Sequence, residues 1–330
     1  MKTLFIGGTG NISTAVSRLA LERGFDLTLL NRGRRPVEIA GAHTLIGDIH
    51  KPLELSKVLA GHQFDIVVNW IAFETPDIER DIELFQGKTG QYIFISSASA
   101  YQKPPSHPII RESTPLHNPY WDYSRKKIAC EERLMRAYRE SGFPITIVRP
   151  SLTYDTVFPI AIGGWECYTL ADRLSRGKRI IVHGDGTSLW TVTHSKDFAK
   201  GFVGLLGHPQ AIGQPFQITS DELLTWDQIY QTIATALGVE PAIVHIPSDL
   251  IARINPSIGA GLLGDKAWSV IFDNSKIKTM VPDFEATIPF HRGIRKTVAW
   301  FNEDPSRRWI NDTVNKEMDQ ILAVYDRVLN

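Results

Sequence analysis

The chain has 330 residues, of which 43% are apolar and 22% charged. That describes an ordinary folded protein with a full core, and excludes a disordered chain or a membrane bundle. Lysine plus arginine equals aspartate plus glutamate at 36 each, so no global field recruits nucleic acid or an anionic membrane. Two cysteines, Cys130 and Cys167, are too few for a disulfide framework and suit a reducing compartment. The chain opens directly on a strand pattern, and no later run reaches the length of a membrane-spanning helix. The cytoplasm is the expected location.

Thr3–Ile6 is an apolar run that breaks on Gly7-Gly8-Thr9-Gly10-Asn11-Ile12-Ser13 and becomes a helical pattern, Asn11–Arg23, followed by a strand pattern, Asp26–Leu30. A buried strand turning through glycines into a helix, within a unit of about 30 residues, is how a nucleotide's phosphates are seated. Gly7 makes the turn and Gly10 the close approach; the third position of the motif is Ser13, not glycine. Strands are next predicted at Thr44–Ile46, Asp65–Val68, Tyr92–Ile95 and Thr146–Val148, with helices at Pro52–Leu59, Pro76–Phe85 and Tyr123–Ser141. Strict alternation with nearly all-apolar strands implies a parallel sheet covered on both faces, the Rossmann-type doubly wound α/β architecture.

After Pro150 the rhythm fails. Helices are predicted at Tyr168–Arg176, Asp197–Leu206 and Thr225–Leu237, with Thr225 as an N-cap, and strands at Ile180–Val182 and Gln214–Ile218. Residues 239–290 read as short strands and Pro-terminated loops with one Gly-rich patch at Gly259-Ala260-Gly261; helices Gly293–Asn302 and Trp309–Val328 close the chain. The expected organisation is a dinucleotide-binding domain over 1–150, with a return segment near 184–214, and a smaller mixed α/β substrate domain with C-terminal helices over 151–330. No internal repeat or low-complexity linker separates them.

Two further patterns carry chemistry. Tyr123 and Lys127 lie four residues apart, which on a helix stacks them on one face. A tyrosine works as an acid or base near neutral pH only when a cation favours its phenolate, and Lys127 supplies one; an incidental aromatic–cation pair on a surface helix shares the spacing. Ser96-Ser97-Ala98-Ser99 ends the Tyr92–Ile95 strand, at the edge where open α/β sheets bind ligands; serines there also serve as plain turn formers.

With these motifs the chain resembles the extended short-chain dehydrogenase/reductases of the NAD-dependent epimerase/dehydratase family, through Gly47-Asp48-Ile49, Val67 to Ala72, Ile95 to Tyr101, Tyr123 with Lys127, Arg149-Pro150, His183 to Gly186, and His194 with Asp197. The resemblance implies that Ser97 and Tyr123 contact the reacting oxygen, with Tyr123 as general acid or base. It implies that Lys127 lowers the tyrosine pKa and binds the nicotinamide ribose. Asp48 and Ile49 match positions on the adenine, Trp70, Ile71 and Ala72 positions along the dinucleotide, and Pro150 and Ser151 positions beside the nicotinamide, while Gly7, Gly10, Asn11 and Ile12 form the phosphate turn. No metal is implied.

The departures are informative. The second strand ends Leu30-Asn31-Arg32-Gly33, where an acidic residue about twenty positions past the glycines would hold the NAD ribose. Losing that carboxylate and gaining the fork of Arg32 points to NADP, although Asn31 suits NAD as well. Family members acting on nucleotide-diphospho sugars carry Arg-Pro-Phe-Asn, with the asparagine reaching the substrate, and an arginine on the diphosphate; here the corresponding residues are Leu152 and Trp190. The acid pair of the dehydratases is absent from Ser97-Ala98-Ser99. The expected function is therefore hydride transfer between a nicotinamide and a secondary alcohol or ketone of a small or sugar-like substrate, with Ser99, Leu152 and Trp190 as candidate substrate contacts. A nucleotide-sugar 4-epimerase holding NAD is the sibling alternative. Plant chloroplast relatives of similar sequence keep a cofactor-binding, RNA-associated protein in play, against which the balanced charge counts. The family also implies a homodimer through Pro76–Phe85 and Tyr123–Ser141, with Ile128, Leu134 and Tyr138 either as its apolar surface or packed on the sheet. The last helix is expected over the domain seam.

Overall fold

The structure is a computed structural model in which residues 1–33 and 37–329 are described. The alternating half contains β1 (Lys2–Ile6), α1 (Ser13–Glu22), β2 (Asp26–Asn31), β3 (His43–Ile46), α2 (Pro52–Leu59), β4 (Ile66–Asn69), α3 (Thr75–Phe85), β5 (Gln91–Ile95), β6 (Ile109–Ile110), α4 (Asp122–Ser141) and β7 (Ile145–Pro150). Beyond it come β8 (Leu152–Tyr154), α5 (Thr169–Ser175), β9 (Arg179–His183), β10 (Leu189–Trp190), β11 (Val192–His194), α6 (Ser195–Leu205), β12 (Gln214–Ile218), β13 (Leu224–Thr225) and α7 (Trp226–Leu237). The chain ends through β14 (Ala242–Ile246), α8 (Ser248–Ile254), α9 (Pro256–Gly261), a π-helical turn Leu262–Lys266, β15 (Ile271–Phe272), α10 (Ser275–Met280), α11 (Phe290–Glu303) and α12 (Asp312–Leu329).

Seven strands form one sheet in the order β12-β7-β5-β4-β1-β2-β3, and every pairing in it is parallel. Every residue of β4, β5 and β7 is buried, which is why their sequences are almost uniformly apolar rather than alternating. One face packs on α1 and α6 through Val16, Ala20, Phe198 and Phe202; the other packs on α2, α3 and α4 through Leu55, Ile78, Phe85, Cys130 and Leu134. Burial of one such side chain contributes roughly 1.5–3 kcal/mol. The strand β12 comes from after the first 150 residues and completes the sheet beside β7. Strand order reverses between β1 and β4, so their carboxyl ends open a crevice between the two halves of the sheet.

A third core cluster belongs to the C-terminal lobe and centres on Phe158, Trp190, Trp226, Tyr230 and Ile294. Thr225 does cap α7: its hydroxyl accepts from Gln228 N, and the Gln228 side chain accepts from Thr225 N in return. Two expectations are corrected, and one alternative is resolved. Residues 239–290 hold three short helices, including one through Gly259, where a Cβ would sit 2.3 Å from Ala252 Cα, so the glycine marks a helix crossing rather than a loop. The last helix packs on α5, α8 and β9, within the C-terminal lobe and not over the seam. Leu134 is fully buried against the sheet, leaving half-buried Ile128 and partly exposed Tyr138 on the outer side of α4.

Candidate functional site

The glycine turn is forced by packing. Gly7 and Gly8 have φ of 96° and 99°, and a Cβ on Gly7 would lie 3.2 Å from Trp70 Cβ. Only glycine adopts that backbone without strain. The serines of α1 hold the turn shut: Ser13 Oγ accepts from Gly10 N at 2.8 Å, and Ser17 Oγ donates to Gly8 O at 2.8 Å. Ser13 thus does by hydrogen bonding what a third glycine does by close packing. Asn11 Nδ2 donates to Thr153 O at 2.9 Å, and Ser195 Oγ donates to Asn11 O at 2.9 Å, so the turn is tied to β8 and to the start of α6. Ile12 is half-buried beside it.

Around the crevice lie the other cofactor candidates. Asn69 Oδ1 accepts from Ile71 N and Ala72 N, fixing the bend after β4. That bend exposes Ile71, buries Ala72, and wedges the Trp70 ring between Phe5 and Phe202. Asn31 Oδ1 accepts from Gly33 N, and Arg32 is exposed. Asp48 accepts from His50 N, which together with the nearby Arg32 charge holds its carboxyl below the usual range, while Ile49 is buried. Pro150 ends β7, and Ser151 follows it half-buried. Asn11 Oδ1, Trp70 Nε1, Ser96 Oγ and Ser151 Oγ are all buried without a hydrogen-bond partner. Buried orphans are uncommon in a finished fold. Four of them around one crevice, above a turn with a helix N-terminus behind it, fit an elongated polar ligand such as a dinucleotide.

At the end of β5, Ser97 is extended (φ −154°) and its Oγ accepts from Ser99 N at 3.2 Å. Ser99 is buried, its hydroxyl accepting from Ser124 Oγ at 2.8 Å and meeting Ser97 Oγ at 2.9 Å. It therefore orients Ser97 from behind. Tyr123 rises from the first turn of α4, with the rings of Trp121 and Phe73 at 4.8 and 5.3 Å. Burial pushes its phenol up, eased by a hydrogen bond with Ser97 and reinforced by the charge of Asp265. Lys127, one turn on, donates to Ala72 O and Ile95 O at 2.8 Å each and lies 6.0 Å from the Tyr123 ring centroid. Burial pushes its pKa down to about 8. The spacing implied a phenol pulled down by Lys127; instead burial, reinforced by the Asp265 charge, pushes it up against the Ser97 hydrogen bond, and Tyr123 keeps its proton at neutral pH.

Arg149 of the Arg-Pro pair makes two bonds to Glu131, both residues buried, locking β7 to α4 behind the site. Among the substrate candidates, Leu152 is half-buried, whereas Trp190 is 1% exposed and packs on Trp226 at 5.6 Å in the lobe core. An indole so placed occupies the core and offers no face to a diphosphate.

Sequence reasoning missed three residues. Asn118 is buried and donates to Ser99 O at 2.8 Å and Gly264 O at 2.6 Å, joining the serine turn to the π-helical turn. That turn brings Asp265 into electrostatic reach of Tyr123, and Lys103, 2% exposed, lies 3.7 Å from Asp265 Oδ1. None of them sits in a periodic pattern; only their being charged or amide residues next to Gly, Pro or aromatic residues set them apart in the sequence. Among the described residues no cluster of His, Cys, Asp and Glu could hold a metal ion, and no helix is long and apolar enough to cross a membrane.

A model of the "NAD dependent epimerase/dehydratase family" matches residues 82–219. The chain is 29% identical over 260 residues to the chloroplast stem-loop binding protein of 41 kDa b from Arabidopsis thaliana, covering 74% of this chain and 65% of that one, so the match spans less than two thirds of the plant protein. It is 22% identical over 291 residues to the 2'-dehydrokanamycin reductase of Streptomyces kanamyceticus, covering 86% and 80% of the two chains. Among solved structures, the UDP-glucose 4-epimerase of Bifidobacterium longum, in complex with NAD+ and UDP, superposes with a TM-score of 0.72 at 17% identity, covering 94% of this chain and all (100%) of that one.

Proposed function

Because the chain belongs to the NAD-dependent epimerase/dehydratase family and is one of its nicotinamide-dependent enzymes, we propose that it transfers hydride between a nicotinamide and a secondary alcohol or ketone. The observation that carries this is the convergence of Ser97, Tyr123 and Lys127 at the carboxyl end of β5, on the same edge as the glycine turn. Gly7, Gly10, Asn11 and Ile12 would receive the phosphates, Asn31 and Arg32 the adenosine ribose, Asp48 and Ile49 the adenine. Trp70, Ile71, Ala72, Lys127, Pro150 and Ser151 would line the rest. When bound, the nicotinamide supplies or accepts the hydride.

The chain's own part is to hold one oxygen and move one proton. Ser97 Oγ, itself fixed by Ser99 and Ser124, donates to the carbonyl oxygen of a bound ketone. Tyr123 then gives its phenolic proton to that oxygen as the carbon is reduced, and the Lys127 charge stabilises the phenolate that remains. A phenol kept protonated by burial serves as the acid in reduction, and takes the proton back when the step runs as oxidation. Arg32 supports NADP over NAD. Tyr123→Phe is expected to lower turnover by roughly 10²- to 10⁴-fold while leaving cofactor binding intact, read as consumption of reduced nicotinamide by absorbance. Unchanged turnover in that variant would sink the proposal.

The family places epimerisation beside this reading, and a chain that interconverted a sugar pair with no net change in nicotinamide absorbance would belong there. The buried position of Trp190 argues against a diphosphate held as in the sugar-nucleotide enzymes. The plant relative named for stem-loop binding keeps an RNA-associated role as a further reading, tested by a salt-dependent gel shift.

A further inference from the structure

We propose that Arg80 and Asp81 of α3 are positioning residues for this site: through Asn69 and Asp77 they hold segment 71–74 in the bend that presents the Ala72 carbonyl to Lys127 and the Phe73 ring to Tyr123. The parts given to Lys127 and Tyr123 belong to the hydride-transfer reading above. The clamp on the bend goes beyond it.

After β4, four successive backbone N–H groups are taken by two side chains. Asn69 Oδ1 accepts from Ile71 N and Ala72 N at 2.9 Å each, and Asp77 Oδ2 accepts from Phe73 N at 2.8 Å and Glu74 N at 3.2 Å. Both side chains are held in turn from α3. Asn69 Nδ2 and the Tyr92 hydroxyl donate to Asp81 Oδ2. Arg80 donates through Nε and Nη2 to Asp81 Oδ1 at 3.1 and 3.0 Å, and through Nη1 to Asp77 Oδ1 at 2.9 Å. Asn69, Asp81 and Tyr92 are all 0% exposed. Burial, with the Asp81 charge beside it, keeps the Tyr92 phenol protonated, so it has a proton to donate.

The direction of these bonds is what fixes the bend. A carboxylate only accepts, so Asp81 obliges Asn69 to turn its nitrogen inward and its oxygen toward the two backbone N–H groups. From there the site is reached by direct contact. Ala72 O accepts from Lys127 Nζ at 2.8 Å, and the Phe73 ring lies 5.3 Å from the Tyr123 ring and 5.6 Å from Lys127 Nζ. An ordinary capping box accounts for Asp77 and Glu74. It does not account for Asp81, which lies beyond the first turn of α3. A buried ion pair often stabilises a fold no better than apolar packing of the same volume, so the use of this one lies in specifying a single arrangement of the bend.

Amide hydrogen exchange of the free full-length chain, read residue by residue by NMR at neutral pH, tests the clamp without any ligand. In Asp81→Asn the amides of Ile71 and Ala72 should exchange at least about tenfold faster, because the Asn69 side chain is free to flip away from them. Tyr92→Phe takes a bond from the same carboxylate without freeing Asn69, and should leave both rates within about twofold of wild type. The swap Asn69→Asp/Asp81→Asn rebuilds the relay with its polarity exchanged: the carboxylate at 69 accepts from both backbone N–H groups and from the amide at 81, whose oxygen still faces Arg80. Both rates should then return to within about threefold of wild type. Fluorescence titration with NADPH and with NADH reads the consequence at the site, where Kd should rise about tenfold in Asp81→Asn and recover in the swap. Unchanged exchange in Asp81→Asn, equal acceleration in Tyr92→Phe, or unchanged Kd values in a variant with fast amides overturns the inference and leaves hydride transfer standing. So does a swap that fails to fold or to restore protection, and the swap alone decides if Asp81→Asn does not fold. The expected exchange pattern in a chain whose wild type binds neither nucleotide overturns the hydride-transfer reading, and the clamp on the bend stands.

Discussion

The two walls of the site are built by different means. On the sheet side, Ser97 and Lys127 are positioned by parallel strands and a 20-residue helix, where backbone hydrogen bonds repeat at every residue. On the lobe side, Asp265 depends on a five-residue turn hung from individual side chains, one bond each. A ladder loses little when one residue changes, whereas a turn with four anchors loses a quarter of its support.

Acid should separate the two walls most strongly. His183 anchors the lobe turn, and His194, buried beside Tyr154, ends β11 at the seam. Burial pushes both rings down to about 4. Between about 4 and their ordinary value near 6.5 the unfolded chain binds more protons than the folded one, so stability is full above pH 6.5 and is lost as pH falls toward 4. Each ring contributes up to about 3 kcal/mol by this route. Urea midpoints measured from pH 7.5 to 4.5 should fall steeply, and His194→Gln should flatten part of the slope. A flat wild-type profile would mean that the rings are not held neutral.

Next in size is the link between the walls. Asn118 donates to Ser99 O and Gly264 O and accepts from Tyr120 N and Trp121 N. Asn118→Ala leaves two buried carbonyls short of a donor and should cost about 3 kcal/mol in unfolding free energy. Urea unfolding at neutral pH measures the loss, and a cost under about 1 kcal/mol would show that both carbonyls find other donors.

The same contrast decides what could be read from the sequence. Strands buried on both faces announce themselves as apolar runs, and β1, β2, β4, β5 and β7 lie within a residue or two of where those runs were. The Thr225 cap was legible because a hydroxyl and a Gln three residues on form a local pattern. Ser97, Tyr123 and Lys127 were legible through spacing and strand ends, but the sign of the Tyr123 shift was not, since desolvation depends on what packs around the ring from afar. The lobe side gave no such signal. Asn118 and Gly264 are 146 residues apart in the chain, and the helices between 248 and 280 are six or seven residues long, too short for a hydrophobic period to emerge. Trp190 illustrates the reverse error: alignment gave it a ligand's place, and the lobe core claimed it.

The smallest expected effect concerns cofactor choice, which lies entirely on the sheet side. Arg32 follows the end of β2, is exposed, and makes no ion pair among the described residues, while Arg34 and Arg35 lie outside them. The side-chain oxygen of Asn31 is already used by Gly33 N, so the guanidinium is the better placed group for a 2'-phosphate. Arg32→Ala should weaken NADP by about tenfold, roughly 1.4 kcal/mol, and leave NAD within about twofold. Fluorescence titration of both nucleotides measures this without any substrate. If Arg32→Ala weakened both nucleotides alike, the residue would serve the phosphate turn rather than the ribose.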